Sequence, residues 1–295
     1  MEDATATFGR LRPRMLGAAY RMLGSLSEAE DVVQDVWLRW HDANPARIEN
    51  AEAWLIAATT RRAIDRLRLA RNEREHYVGI WLPEPVLTDG PSTPEQVQEA
   101  SSDLSIAFLT VLERLAPDAR AAFLLHEVFE ADYAQIADIL GKTEATCRKI
   151  VQRAKEHLRE DRPRYVVSDQ AHQRLMRRFL EAVSSGDFAA MKTLMAESAV
   201  LVGDGGGVVT SFPKPMVGGD RIAALLYAAR LRFKDELHIR GAIINGRMAL
   251  LRYIHDELES VQSYETDGER IVRVYVQRNP EKLRRVARRE VMAMS

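Results

Sequence analysis

Apolar positions recur at helical spacing from the start of the chain. Phe8, Leu11, Met15, Ala19 and Met22 share one face, and Gly24 is placed to close that helix. Ser27, with Glu30 three residues on, has the form of a capping box and predicts a second helix over 28–41. Its apolar positions are Val32, Val33, Val36, Trp37 and Trp40. A polar break, His41 to Asn50, precedes a third helix from about Ala51 to Arg74. The pattern then stops. Residues 76–103 hold Gly79, Gly90, Pro83, Pro85, Pro91 and Pro94, which disfavour continuous helix. Tyr77, Ile80, Trp81 and Leu82 make this linker too apolar for a free tether, so it is expected to pack on something.

Helical periodicity returns from Leu104 to about Glu160, and DYAQIADILGKTEATCRKIVQRAKEHL (132–158) has the layout of a helix-turn-helix. Ile136, Ala137 and Leu140 form an apolar face on its first helix, Gly141 takes the turn, and Thr143 can cap the second. There Cys147, Ile150, Val151, Ala154 and Leu158 fall on one side, opposite Glu144, Arg148, Gln152, Lys155 and Arg159. After Pro163 the pattern is α+β. Helices are predicted over 170–184, 187–196 and 219–232, then strands LHIRGAIIN, MALLRYIHDEL, SVQSYET and RIVRVYVQ. Asn245-Gly246 and Asp267-Gly268 sit where two-residue turns would join these into a meandering antiparallel sheet.

At 295 residues, 46% of them hydrophobic, the chain can build two or three units, each with a core. A formal net charge of −1 argues against a generic polyanion binder, but the charge is unevenly placed. Between Trp54 and Arg74 lie six arginines (61, 62, 66, 68, 71, 74) and two acids, Asp65 and Glu73. Between Lys142 and Lys155 lie five basic residues and only Glu144. Before residue 54 nine acids face six arginines. Two basic segments behind an acidic leader point to two nucleic-acid contacts and a separate protein contact. The single cysteine, Cys147, excludes an intramolecular disulfide and suits a reducing cytosol. MEDATATFGRLRPR has no signal-peptide pattern and no stretch is long and apolar enough for a membrane span, so a soluble cytoplasmic protein is expected.

A recognition helix keeps one side in a core and presents long donors to the groove, and residues 143–159 meet both demands. Arg148, Lys149, Gln152, Arg153 and Lys155 are the candidate contacts, with base readers and phosphate anchors not separable by pattern. In AWLIAATTRRAIDRLRLARNERE, Trp54, Leu55, Ala58, Ile64 and Leu67 can anchor inward, leaving Arg61, Arg62, Arg66, Arg68 and Arg71 on the surface. Glu28, Asp31 and Asp35 share one helical stripe, a complement for a basic partner helix.

Together AEDVVQDVWLRW (29–40), AWL…TRRAIDRLR (53–68) and the helix-turn-helix resemble the extracytoplasmic-function (ECF) sigma factors. The resemblance implies two all-α domains: region 2 over 1–75 and region 4 over 104–162, joined by the 76–103 linker. It implies that 28–40, with Glu28, Asp31, Gln34 and Asp35, dock on core RNA polymerase (the β′ clamp helices and β). It also implies that 54–71, with Arg61, Arg62, Asp65, Arg66 and Arg68, read and open the −10 element, while 143–155 read the −35 element. Arg61 and Lys149-Ile150 stand where the family often has Asn and Ser-Arg, so promoter preference does not carry over.

YVGIWLPEP (77–85), GDGGG (203–207) and RNPEKL (278–283) resemble the sigma-J-like subgroup, which carries a cone-shaped SnoaL-like C-terminal domain. Here that domain would span 168–284, followed by a basic tail, 285–295. The resemblance implies a regulatory contact through Trp81, Leu82, Pro83, Glu84 and Pro85 on one side and Asp204, Gly205, Gly206 and Gly207 on the other. No separate anti-sigma factor is then expected. Val208 stands where the glycine motif usually ends in lysine. A packed linker and a loop needing positive φ angles account for the same two motifs without regulation.

Two other classes compete. One is a dimeric helix-turn-helix regulator on palindromic DNA with a small-molecule-sensing C-terminal domain. The other is a SnoaL-type enzyme using His238, His255 or Asp256, although no spacing fixes an acid–base pair there. No catalysis, metal or cofactor is expected, while a small-molecule ligand of the C-terminal domain is possible. The acidic helix ahead of the arginine-rich one favours the sigma-factor reading, since a repressor needs no polymerase-docking surface.

Overall fold

The computed structural model describes residues 4–43, 48–88, 104–161 and 167–294. The linker positions 89–103, with Gly90, Pro91 and Pro94, lie outside the described residues. The chain forms two compact units: Met1–His76 with Val111–Arg162, and Tyr77–Thr110 with Pro163–Ser295.

In the first unit α1 (Ala4–Leu23), α2 (Leu26–Asp42) and α3 (Ala51–Glu75) pack together; α4 (Ile106–Leu112) lies in the second unit up to Thr110, and the first resumes through α5 (Pro117–Glu127), α6 (Tyr133–Leu140) and α7 (Glu144–Asp161). Gly24 closes α1 with φ 65°, its N–H donating to the Tyr20 carbonyl. This turn brings Ser25, not the expected Ser27, into the extended conformation of the α2 cap, and its Oγ accepts from the Glu28 N–H at 3.4 Å. The predicted core positions Phe8, Leu11, Met15, Val33, Val36, Trp40 and Leu55 are buried. They join Ala122, Leu125, Ile136, Cys147 and Val151 of α5–α7 in one continuous apolar cluster. The helix-turn-helix forms as read. Asp132 and Gln135 make a capping box at α6, Gly141 turns at φ 63°, and Thr143 Oγ1 accepts from the Thr146 N–H.

The second unit is a six-stranded sheet between two layers. Its elements are α8 (Asp169–Ser185), α9 (Phe188–Leu194), β1 (Met195–Asp204), β2 (Met216–Val217), α10 (Gly219–Phe233), β3 (Leu237–Ile244), β4 (Arg247–Ile254), β5 (Glu257–Thr266), β6 (Ile271–Gln277) and α11 (Pro280–Met294). Strand order is β2-β1-β6-β5-β4-β3. The expected meander holds for β3 to β6, but β1 lies parallel to β6, with Leu201 opposite Val274. Asn245 (φ 53°) and Gly246 (φ 76°) make the two-residue turn that their sequence predicts.

Three expectations are corrected. MALLRYIHDEL is two strands, broken by a turn at His255 and Asp256, both with positive φ. Four residues, not two, separate β5 from β6, because the Asp267 carboxylate accepts from the Glu269 and Arg270 N–H groups and holds a wider loop. Residues 285–294, expected as a basic tail, continue α11, where Val286 is buried against the sheet.

One sheet face packs on α8, α9 and α10 through Phe179, Met191, Ile222, Leu250, Tyr264 and Val274. On the other, Leu82 and Ile106 meet Tyr275, while Leu87, Leu283 and Val286 meet Ala249, Leu251 and Val261. The linker also extends the sheet edge. Leu87 bridges Ile244, Val86 donates to Asn245 Oδ1 at 2.9 Å, and Asn245 donates back to the Val86 carbonyl.

Candidate nucleic-acid, polymerase and linker sites

On α7 the buried side is Cys147, Val151, Ala154 and Leu158, with Ile150 half-buried. Burial raises the Cys147 thiol pKa, so it acts as a core residue and not as a reactive one. The five candidate contacts divide by what holds them. Arg148 pairs with Glu144 at 3.1 Å and lies over the Tyr133 ring. Gln152 donates to Glu156, and Lys155 pairs with Glu127 of α5 at 2.7 Å. Lys149 and Arg153, one turn apart, are exposed and make no ion pair among the described residues.

On α3, Leu55, Ala58, Ile64 and Leu67 face inward as read, and Trp54 is half-buried against Trp40. Four of the five surface arginines, Arg61, Arg62, Arg66 and Arg68, are occupied, and the side chain of Arg71 lies outside those described. Arg61 binds Asp138 at 2.7 Å and donates to the Asp138 and Ile139 carbonyls, at the C-terminal end of α6. Arg62 pairs with Asp35 at 2.6 Å, Arg66 with Glu28 at 2.9 Å, and Arg68 with Asp118 at 2.8 Å and Asp65 at 3.6 Å. Asp118 also binds Lys142; burial opposes its ionised form, but Lys142 and Arg68 outweigh this and hold the carboxyl below the usual range.

The acidic stripe on α2 is therefore split. Asp31 and Gln34 are exposed, Asp35 is half-buried beside Arg62, and Glu28 turns inward. Glu28 lies 3.8 Å from Arg74, which also pairs with Glu113 and donates to the Leu23 carbonyl. Glu113 is shared with Arg120, 2.6 Å away and 1% exposed, which donates to the Met22 carbonyl. Glu113, Asp118, Arg120 and Asp138 were not singled out from sequence. The available signal was Arg120 itself, a charge inside the apolar stretch RAAFLL.

In the second unit the two sequence motifs meet at Asp204, which is 0% exposed. Its carboxylate accepts from Tyr77 Oη (2.6 Å), the Leu82 N–H (2.9 Å), the Gly206 N–H (2.9 Å) and Gln277 Nε2 (3.2 Å). Lys282 Nζ supplies the counter-charge at 2.7 Å, donates to the Leu82 carbonyl, and lies 4.1 Å from the Trp81 ring centroid. Burial and the adjoining Asp204 push the Tyr77 hydroxyl pKa up, so it remains a donor. Pro83, Glu84 and Pro85 are buried, and Glu84 pairs with Arg285 at 3.4 Å.

The glycines serve both approach and turn. A Cβ at Gly205 would lie 2.1 Å from the Val209 carbonyl oxygen, while Gly206 and Gly207 take φ 64° and 72°. Val208 is 70% exposed, and the cation beside Asp204 is Lys282. Tyr77, Gln277 and Lys282 were absent from the expected site because only the fold brings them to Asp204. His238 and Asp256 lie 4.0 Å apart at an exposed turn, and His255 is 3.5 Å from Glu236. No buried acid–base pair forms among these residues.

Among the described residues no helix is long and apolar enough to cross a membrane, and no group of three or more His, Cys, Asp or Glu is placed to hold a metal ion.

The sigma-70 region 2 family matches residues 7–73, and the sigma-70 region 4 family matches 105–158. The chain is 34% identical over 246 residues to the ECF RNA polymerase sigma factor SigJ of Mycobacterium tuberculosis, covering 82% of this chain and 78% of that one. It is 27% identical to the probable ECF sigma factor SigI of the same species, covering 96% of this chain and 95% of that one. The crystal structure of M. tuberculosis SigJ aligns with a TM-score of 0.76 at 28% identity, over 95% of this chain and 98% of that one. With both sigma regions in order, a helix-turn-helix in the second and an α+β C-terminal domain, this chain belongs to the ECF family of RNA polymerase sigma factors.

Proposed function

We infer that α7 reads the −35 element, α3 engages the −10 element, and the exposed part of the α2 stripe docks on core polymerase. The observation that carries this reading is the division of α7: four buried residues on one side, and Lys149 and Arg153 exposed with long donors on another. Asp31, Gln34 and Asp35 are the polymerase contacts, and Glu28 supports them from inside. Arg61, Arg62, Asp65, Arg66 and Arg68 meet the −10 strand once their acid partners are exchanged for phosphates and bases. The protein initiates transcription as a polymerase subunit and catalyses no reaction of its own.

The C-terminal domain regulates by holding the linker through Asp204, taking the place of a separate anti-sigma partner. A small molecule that loosens or tightens this hold would act as an effector. Transcription in vitro with core polymerase and a promoter carrying both elements tests the assignment. Asp204→Asn should change output while polymerase association persists; unchanged output from a folded variant whose linker is demonstrably released would end the regulatory reading. Deletion of the domain is the harsher arm, since it uncovers Leu82, Leu87 and Ile106.

A further inference from the structure

The sheet of the second unit ends in two unequal edges. β2 is two residues long, whereas β3 runs unbroken against β4 from Leu237 to Ile244, with no proline and no bulge. The turn at Asn245-Gly246 makes Ile244 and Arg247 a hydrogen-bonded pair, so even-numbered residues of β3 bond to β4. His255 keeps the same phase by donating to the Glu236 carbonyl. Odd-numbered residues therefore point their N–H and C=O groups outward. At the ends these groups are taken: the Ile243 carbonyl accepts from the Thr88 N–H and Oγ1, and Leu237 bonds to Lys234 and Arg230. Between them, the N–H and C=O groups of Ile239 and Gly241 have no partner among the described residues.

Cations flank this gap on both faces of the sheet. Odd-numbered side chains point toward α8, where Leu180 Cδ2 lies 3.6 Å from the place a Cβ on Gly241 would take. Arg177, Leu180 and Ser184 share one helical stripe, and Ser184 lies beside Leu237, so Arg177 stands toward the Ile243 end. Arg174, Arg177 and Arg178 are exposed and make no ion pair among the described residues, even with Glu181 on the same helix. On the other face Arg240 is exposed and lies 6.0 Å from the Tyr253 ring centroid. A groove of about 780 Å³ follows the edge past Ser184, Leu237, Ile239 and Arg240, with Asp235 and Asp256 at its Leu237 end.

We propose that the β3 edge binds an extended acidic segment of a protein partner as an added antiparallel strand. Main-chain bonds satisfy Ile239 and Gly241, and the side chains alternate between the two faces. The antiparallel direction is the one Leu87 already takes beside Ile244 on this edge. Opposite Gly241 the added side chain faces α8 and Arg177, and opposite Arg240 it meets that guanidinium, so both positions call for Glu or Asp. The position opposite Ile239 is apolar, and those near Asp235 and Asp256 are neutral or basic. A second copy fits poorly, because the two-fold pairing that satisfies Ile239 and Gly241 in both copies sets Arg240 against Arg240. Duplex DNA would answer the arginines but not the free backbone groups. The inference is independent of the promoter roles of α3 and α7.

The probe is a fluorescent peptide, Thr-Glu-Glu-Val-Thr-Lys, titrated into the full-length chain. Anisotropy should show saturable binding, and NMR should show hydrogen exchange slowing at the Ile239 and Gly241 amides. Replacing both glutamates of the peptide by glutamine should weaken binding roughly tenfold, as should Arg177→Ala with Arg240→Ala in the protein. N-methylation of the valine removes the donor to the Ile239 carbonyl without altering charge and should abolish binding. Binding that survives this methylation, a bound peptide that leaves both amides exchanging freely, or no saturable binding overturns strand addition. Amides already protected in the free monomer, or protected only as the chain dimerises, would show the edge covered by the chain itself or by a second copy, and overturn it too. Tighter binding of random-sequence duplex DNA, lost with Arg177→Ala and Arg240→Ala, would give the patch to nucleic acid instead.

Discussion

Lys149 and Arg153 show how a residue-level prediction sharpens when ion pairs are known. From the sequence, five polar residues of α7 were equivalent; the structure leaves these two without an ion-pair partner among the described residues. Lys149→Ala or Arg153→Ala should each reduce −35-dependent transcription by about 1–3 kcal/mol, roughly 5- to 150-fold. Arg148→Ala should cost less, and assays on promoters with altered −35 sequences would rank the three. His172 offers a second test at this scale. Its Nε2 donates to the Met248 carbonyl at 3.0 Å, while Nδ1 is buried without a partner among the described residues. Burial holds its pKa below the usual 6.5, so the unfolded chain takes up the proton first. Its contribution to stability is present above about pH 6.5 and is lost as pH falls from there through the folded value. Buried Glu265 is shifted upward and gives the opposite slope above its usual 4.5. Comparing denaturation midpoints of wild type and His172→Gln from pH 5 to 8 isolates the histidine: the variant should lose the decline on acidification.

Among the elements, long amphipathic helices were readable because burial on one side imposes a 3.6-residue period, as in α1, α2 and α7. The elements missed have identifiable causes. β1 follows α9 directly, with no glycine or proline to mark the change, so residues up to 196 read as helix. β4 and β5 merged because His255-Asp256 carries no conventional turn signal, though both residues adopt positive φ. The part of α11 from residue 285 looked like a basic tail because Val286 stands among arginines, and its burial depends on a sheet far away in sequence. Val286→Ala should therefore destabilise the second unit by about 1–3 kcal/mol, measurable by chemical denaturation; a free tail would give no change. Asn245→Ala removes both the acceptor for the Val86 N–H and a residue tolerant of φ 53°. It should cost about 1–2 kcal/mol and speed hydrogen exchange at Val86 to Thr88.

At the scale of the whole molecule, the partition of the chain alters what each segment means. The linker, which joins regions 2 and 4 in sequence, folds with the C-terminal domain and not with either region. Reversing Asp31 and Asp35 together to lysine should weaken core-polymerase association at least tenfold, read by co-purification, with helix content retained. Retained association would sink the docking role of α2. The sequence by itself determined the helices, the helix-turn-helix, the family and the acidic and basic stripes, because each is written in local periodicity or in motifs a few residues long. Tertiary structure alone decided that Asp204 gathers Tyr77, Leu82, Gln277 and Lys282, that Glu28 faces inward, and that Arg61, Arg62, Arg66 and Arg68 are held by acids up to 77 positions away. Those pairings are fixed by which surfaces share a core. Such long-range packing leaves no period in the chain for a reader to find.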